Sequence, residues 1–226
     1  MNFAGIKVKK SWGHELEVFN NGIVSCWYLK LSKDHETSLH MHRHKETAMI
    51  ILSGSARLQE GLTTGRPIVA LDKTRFGAGF FHKHAAINGD CELLEVEYPI
   101  DKEDLYRFTD AYGRAGKPYE SLENFVELTK NDPQFVSGRM KVGRTTLMTV
   151  EFLNSQSFAG WARKLPAENI VVITRGSLRS EHGVEIVKPG QANWSQNLLS
   201  LLLNTWPDDR MQAIVIWNDR MGEQNV

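Results

Sequence analysis

The chain is poor in the features that mark several large classes of protein. Only two of its 226 residues are cysteines, Cys26 and Cys91, and they lie far apart and outside any Cys-x-x-Cys pattern. We therefore expect no disulfide framework, and a reducing cytoplasm is the predicted location. The 27 basic and 27 acidic residues cancel. This balance argues against a nucleic acid or an anionic membrane as a partner.

Long apolar runs are also missing. No run approaches the length of a membrane span, and the first residues, Met1 to Lys7, lack the apolar core of a signal peptide. The predicted protein is soluble, and its predicted partner is a small molecule.

Histidines, in contrast, are concentrated in two short segments. Side chains alternate faces along a strand, so His40, His42 and, if the strand runs straight, His44 and Glu46 are predicted to lie on one side. Neutral imidazole and carboxylate are the usual ligands of zinc, iron, manganese or nickel. The apolar run that follows, residues 49–52, predicts that the strand enters a core. A divalent metal site is therefore expected here.

A second pair, His82 and His84, alternates in the same way near residue 84. The two segments together resemble the paired motifs of the cupin family. The first cupin motif is matched by His40-x-His42, Glu46 and Gly54, and the second is matched by His84-x3-Asn88. The resemblance implies a double-stranded β-helix, or jelly-roll, barrel that binds a divalent metal through His40, His42, Glu46 and His84.

Two departures from the family pattern leave the ligand set open. Seven residues separate Glu46 from Gly54 where the family has six, so either a bulge keeps Glu46 on the metal or the site consists of histidines alone. In the second motif His82 competes with His84, and the spacing to Asn88 favours His84 as the ligand. His82 is then a group that supports the ligands or contacts the substrate.

The resemblance extends to the function. The segment Trp12-Gly13-His14-Glu15 and the stretch from Leu94 to Gly116 resemble sugar-phosphate isomerases and other cupins of carbohydrate biosynthesis. A metal-dependent isomerase or epimerase acting on a sugar or sugar phosphate is therefore expected. The candidate proton-transfer residues are Glu46, His44 and His82, and the candidate substrate-binding cations are Arg43, Lys45, Arg57 and Lys83.

Two other functions remain open. Three histidines, with or without Glu46, also resemble mononuclear iron cupin dioxygenases, and a cupin can bind a sugar without turning it over. By the same resemblance, a homodimer is a possible assembly.

The last third of the chain repeats part of the first. Residues 168–179 match residues 46–57 at an offset of 122 residues, with Gly-Ser-x-Arg in both. This repeat predicts a second barrel. At the same offset Ala162 and Lys164 replace His40 and His42, so the second barrel is predicted to be degenerate and metal-free.

The predicted organisation is therefore all-β, with a metal-binding barrel over residues 1–112 and a degenerate barrel over residues 139–226. A helical connector is predicted between them, over residues 113–138. Helices are predicted to begin at Asp101, as an N-cap followed by acidic residues, and at Ser121.

Overall fold

The computed structural model describes residues 3–219, and these divide into two compact units at Pro133 and Gln134. No helix in that part of the chain is long and apolar enough to cross a membrane. Each unit consists mainly of antiparallel strands.

The first unit contains twelve strands in two sheets. The seven-stranded sheet has the order β12-β1-β2-β3-β10-β5-β8, and the five-stranded sheet has the order β11-β4-β9-β6-β7. The strands are β1 Ile6–Lys10, β2 Gly13–Asn20, β3 Ser25–Leu31, β4 Leu39–Met41, β5 Glu46–Ser53, β6 Ser55–Glu60, β7 Arg66–Val69, β8 Lys73–Phe76, β9 His82–Ala86, β10 Cys91–Tyr98, β11 Tyr106–Thr109 and β12 Phe125–Glu127.

Alternating apolar residues from both sheets form the core of this unit. Met49 and Ile51 on β5 face the same cluster as Leu93 on β10 and Leu58 on β6, and all four are buried. Because side chains alternate along a strand, this register also directs the other odd-numbered residues of β10 inward. Polar residues at those positions therefore enter the barrel interior.

The tight turn between β5 and β6 depends on Gly54. Its φ is +78°, and a Cβ atom at this position would lie 2.2 Å from the carbonyl oxygen of Asp90. Only glycine combines that backbone conformation with so close an approach.

The prediction of a helix that begins at Asp101 is wrong. The Asp101 carboxylate does accept the backbone N–H groups of Glu103 and Asp104, as an N-cap would. The chain then continues as β11, which pairs with β4. The connector predicted to be helical contains only a 3-10 turn, Leu122–Asn124, before β12 joins the first sheet beside β1.

The second unit contains eight strands and two helices. The strands are β13 Arg139–Val142, β14 Thr145–Glu151, β15 Ile170–Arg175, β16 Leu178–Arg179, β17 Glu185–Val187, β18 Ala192–Trp194, β19 Trp206–Pro207 and β20 Gln212–Asn218. The helices are α1 Ser155–Ala162 and α2 Ser195–Leu201. The larger sheet has the order β13-β14-β20-β15-β18, and the smaller one has the order β17-β16-β19.

This strand order repeats the first unit. The larger sheet matches β2-β3-β10-β5-β8, the smaller sheet matches β7-β6-β9, and β15 aligns with β5 at the offset found in the sequence. Among residues 134–219, the strand β4, which carries His40, has no counterpart. The helix α1 takes its place in the chain order and buries Phe158 and Ala162 in the core. The prediction of an all-β chain with a second, degenerate barrel is confirmed.

Candidate metal centre

Three histidines from two segments converge on one cavity of the first barrel. His40 lies in β4, His42 follows that strand, and His82 begins β9, where it pairs with His40 across the sheet. One potential ligand atom from each lies within 4.8 Å of those of the other two. A zinc–nitrogen bond is about 2.0–2.1 Å long, so small side-chain movements would let one ion contact all three. We call His40, His42 and His82 the histidine triad.

Hydrogen bonds fix which nitrogen of each ring faces the cavity. The Nδ1 atoms of His40, His42 and His82 lie 2.8, 2.5 and 3.2 Å from the carbonyl oxygens of Ser38, Asp104 and Phe80, respectively. A carbonyl oxygen can only accept, so each Nδ1 carries the proton and each Nε2 carries a lone pair. The Nε2 atom of His42 is buried and has no hydrogen-bond partner. Such backbone-locked imidazoles are typical of metal ligands.

Packing and burial keep the triad neutral. The ring of Phe76 stacks on His82 with centroids 4.0 Å apart and planes 2° from parallel. Burial lowers the pKa of His82 to about 4. Burial, aided by neighbouring cationic and imidazole groups, holds the pKa of His40 and of His42 well below 6.5. Neutral imidazole is the form that binds a metal, so these residues could hold a divalent ion.

His84, the ligand that the sequence favoured, is buried in the same cavity but is not part of the triad. Its ring centroid lies 6.2 Å from that of His82, and its Nε2 atom makes no hydrogen bond. Burial lowers the pKa of His84 to about 3. The two histidines of β9 therefore stand in the reverse of the predicted arrangement: His82 joins the triad, and His84 is the extra group in the cavity.

His44 and Glu46 do not lie on the wall formed by His40 and His42, so the predicted alternation is wrong beyond Met41. The strand β4 ends there because the carboxylate of Asp104 accepts the backbone N–H groups of Arg43, His44 and Lys45. The resulting bend leaves His44 exposed.

Glu46 lies beyond this bend and does not line the cavity. Its carboxylate instead accepts hydrogen bonds from the guanidinium group of Arg75. The structure therefore does not bring Glu46, the expected ligand and base, to the triad.

The predicted substrate-binding cations are scattered. Arg43 and Arg57 are exposed, and Lys83 pairs with Glu36 at 3.1 Å. Only Lys45 lines the cavity, where its Nζ atom lies 2.8 Å from Glu97. The structure therefore brings one of these four cations to the triad.

Several cavity residues were missed by the sequence reasoning. The cavity wall includes the carboxylates of Glu15 and Glu95 and, besides Lys45, the cations Lys10, Lys102, Arg107 and Arg114. One signal for Glu95 was present: it follows the apolar Leu93 by two residues in β10, so it shares the inward face. Lys102 and Arg107 carry no comparable local signal, because tertiary contacts place them.

Lys102 links three buried carboxylates. Its Nζ atom lies 3.5 Å from Glu15, 3.4 Å from Glu95 and 3.1 Å from Glu97. Burial alone would lower the pKa of Lys102, but these carboxylates raise it. Burial opposes ionisation of Glu15, yet Lys10, Lys102 and a hydrogen bond from Tyr119 lower its pKa to about 2. Burial raises the pKa of Glu95. The cavity therefore holds two charged groups, the ammonium of Lys102 and the carboxylate of Glu15, beside the neutral histidine triad.

Comparison with known proteins finds similar solved structures for part of this chain. A scan against protein-family models finds no match, and a search of curated proteins finds none either. An uncharacterized conserved protein with a double-stranded β-helix domain from Klebsiella pneumoniae is 17% identical, with a TM-score of 0.36 over 38% of this chain and 75% of its own. KdgF from Halomonas sp. is 13% identical, with a TM-score of 0.37 over 43% of this chain and 82% of its own.

Two further structures have similar scores. A cupin 2 conserved barrel domain protein from Rhodopseudomonas palustris is 17% identical, with a TM-score of 0.36 over 38% of this chain and 61% of its own. The capsular polysaccharide assembling protein CapF from Staphylococcus aureus is 14% identical, with a TM-score of 0.39 over 46% of this chain and 34% of its own. Each likeness spans less than half of the present chain.

Proposed function

We propose that the first barrel is a metal-dependent enzyme that acts on a sugar or sugar phosphate by the proton transfer of an isomerase or epimerase. The observation that carries this proposal is the triad of backbone-locked imidazoles, of which His42 and His82 are buried. Their Nε2 lone pairs share one cavity with charged residues. Two segments support the choice of substrate: Trp12 to Glu15 resembles sugar-phosphate isomerases, and Leu94 to Gly116 resembles cupins of carbohydrate biosynthesis.

When bound, a divalent ion would act as a Lewis acid that polarises the carbonyl and hydroxyl groups of an open-chain sugar and acidifies the adjacent C–H bond. The residues of the chain bind and orient the substrate. Lys45, Arg107 and Arg114 can donate to hydroxyl or phosphate oxygens, and ionised Glu15 can accept from hydroxyl groups. Because all four residues line this cavity, they favour a polar, oxygen-rich substrate.

The proton acceptor must line the cavity, since general-base catalysis requires hydrogen-bond reach. That requirement leaves out His44 and Glu46. The acceptors beside the triad in the described cavity are the carboxylates of Glu15 and Glu95 and the Nε2 atom of His84. Because Glu95 approaches His42 of the triad, we assign the proton transfer to Glu15 or His84.

The size of the cavity limits what enters it. It offers about 60 Å³ of water-accessible space, which is small for a whole sugar molecule. In this conformation, therefore, only the reacting end of an open-chain sugar enters.

The test is hydrogen exchange into the substrate. Metal-loaded protein is incubated in deuterated water with a panel of aldoses, ketoses and their phosphates, and deuterium incorporation is followed by mass spectrometry. The proposal expects incorporation next to the carbonyl carbon with at least one member of the panel, and loss of that incorporation in His42→Ala.

Two other outcomes would replace the proposal. Oxygen consumption with bound iron would make the protein a dioxygenase, and sugar affinity without exchange would make it a binding protein. Sedimentation velocity on the same sample would test the predicted homodimer.

A further inference from the structure

We propose that Glu95, and not the motif carboxylate Glu46, is the acidic ligand of the metal site, which then consists of His40, His42, His82 and Glu95. The inference rests on the proposed function only in that both require a bound ion. It makes no use of the substrate.

Glu95 is placed by the register of a central strand. It lies on β10 opposite Trp27 of β3 and Met49 of β5, and all three side chains belong to the inner face of the barrel. Its residue exposure is only 6%. A carboxylate this deeply buried needs a cation or several donors to offset the loss of solvation.

Glu95 and His42 face each other with no positive charge between their nearest atoms. Oε1 of Glu95 lies 3.8 Å from Nε2 of His42. The proton of that ring is on Nδ1, bound to the carbonyl oxygen of Asp104, so two lone pairs face each other. The distance is too long for a hydrogen bond. A divalent ion bound by both atoms would satisfy the buried Nε2 and the carboxylate together.

The second oxygen of Glu95 is already held. Nζ of Lys102 lies 3.4 Å from Oε2 and is anchored in turn by Glu97 at 3.1 Å. This contact directs Oε1 towards His42. Metal-binding carboxylates usually have such a hydrogen-bonded partner behind them, and the partner fixes their orientation.

Glu46 has neither property. Its carboxylate bonds to Arg75, and its side chain is 26% exposed. Glu168, which corresponds to Glu46 in the repeat, occurs in a barrel that lacks the histidine strand. A glutamate therefore occupies this position in both barrels, although only the first barrel contains the histidine triad.

Cobalt(II) binding without any substrate tests the inference. We expect Glu95→Gln, which keeps the shape of the side chain, to raise the dissociation constant for Co²⁺ by at least about 10-fold. Mutation of residues that only hydrogen-bond to a metal ligand already lowers metal affinity by about 10-fold or more. Glu46→Gln is the matched control and should stay within about 2-fold of the wild type. Competition with a chelating dye gives the constants, and the visible Co²⁺ spectrum should change only in Glu95→Gln.

Thermal melting of the metal-free variants shows whether each one folds, and Glu95→Asp, which keeps the charge, should restore part of the affinity. Wild-type affinity in Glu95→Gln would overturn the inference and leave the proposed function standing. An equal loss in Glu46→Gln would also overturn it. Tight Co²⁺ binding without proton exchange in the sugar panel would overturn the proposed function alone.

Discussion

Acidification should destabilise the first barrel when no metal is present, because the histidines of its cavity are held in the neutral form. The pKa of His82 falls from 6.5 to about 4 on folding, chiefly through burial. The unfolded chain therefore binds more protons than the folded one between these values, and stability decreases as pH falls from 6.5 towards 4. At 1.36 kcal/mol per pKa unit, the full loss from His82 is about 3 kcal/mol, and about 2 kcal/mol of it is reached by pH 5.

The assay is urea unfolding of chelator-treated protein at pH 7 and pH 5, with hydrogen exchange of peptides from β5 and β10 as the readout for the first unit. His82→Gln should reduce the difference between the two pH values, whereas His182→Gln, on the exposed surface, should leave it unchanged. Glu15 affects stability in a separate pH range. Because folding lowers its pKa from 4.5 to about 2, the stability that it contributes is lost only as the pH falls below about 4.5. Equal stability of the wild-type barrel at pH 7 and pH 5 would refute the reasoning.

Three other predictions concern single positions. His42→Ala should lose metal with the strands intact, whereas Glu168→Ala should keep wild-type metal content by elemental analysis; equal content in wild type and His42→Ala would contradict the site. Phe76→Ala removes the ring stacked on His82 and should cost about 3–5 kcal/mol in the free energy of unfolding. Gly54→Ala should destabilise the first unit by more than about 1 kcal/mol, because its Cβ would meet a carbonyl oxygen and its φ is positive; a wild-type melting temperature would contradict this.

The repeat and the strand pattern were predictable because they are local. Apolar runs bounded by glycine mark β5 and β15, and Gly-Ser-x-Arg at the same offset marks the turn after each. The concentration of histidines near residues 40 and 84 likewise predicted that two segments meet. The strand β4 and its neighbour β9 bring them together.

The wrong predictions for His44 and for the helix at Asp101 have a common origin. Contacts between residues far apart in sequence determine both places. Asp104 binds the backbone of residues 43–45 from about 60 positions downstream, so it ends β4 and turns His44 outward. Shortly after Asp104, residues 106–109 pair with β4 and therefore form a strand instead of the predicted helix. No window of sequence around His44 or Asp101 contains this contact. Local capping signals at Asp101 were satisfied, but sheet pairing determined the structure.

The choice between His82 and His84 required the same long-range information. Both alternate onto one face of β9, and the sequence spacing alone favoured His84. The cross-strand pairing of His82 with His40, and the carbonyl group of Phe80 at its Nδ1 atom, determine which ring joins the triad.

A crystal of metal-soaked protein measured at the absorption edge of the ion tests the central claim most directly. The account predicts one anomalous peak in the first barrel, within bonding distance of the Nε2 atoms of His40, His42 and His82. A peak bound elsewhere, or triad rings turned away from one another with no peak between them, would contradict it.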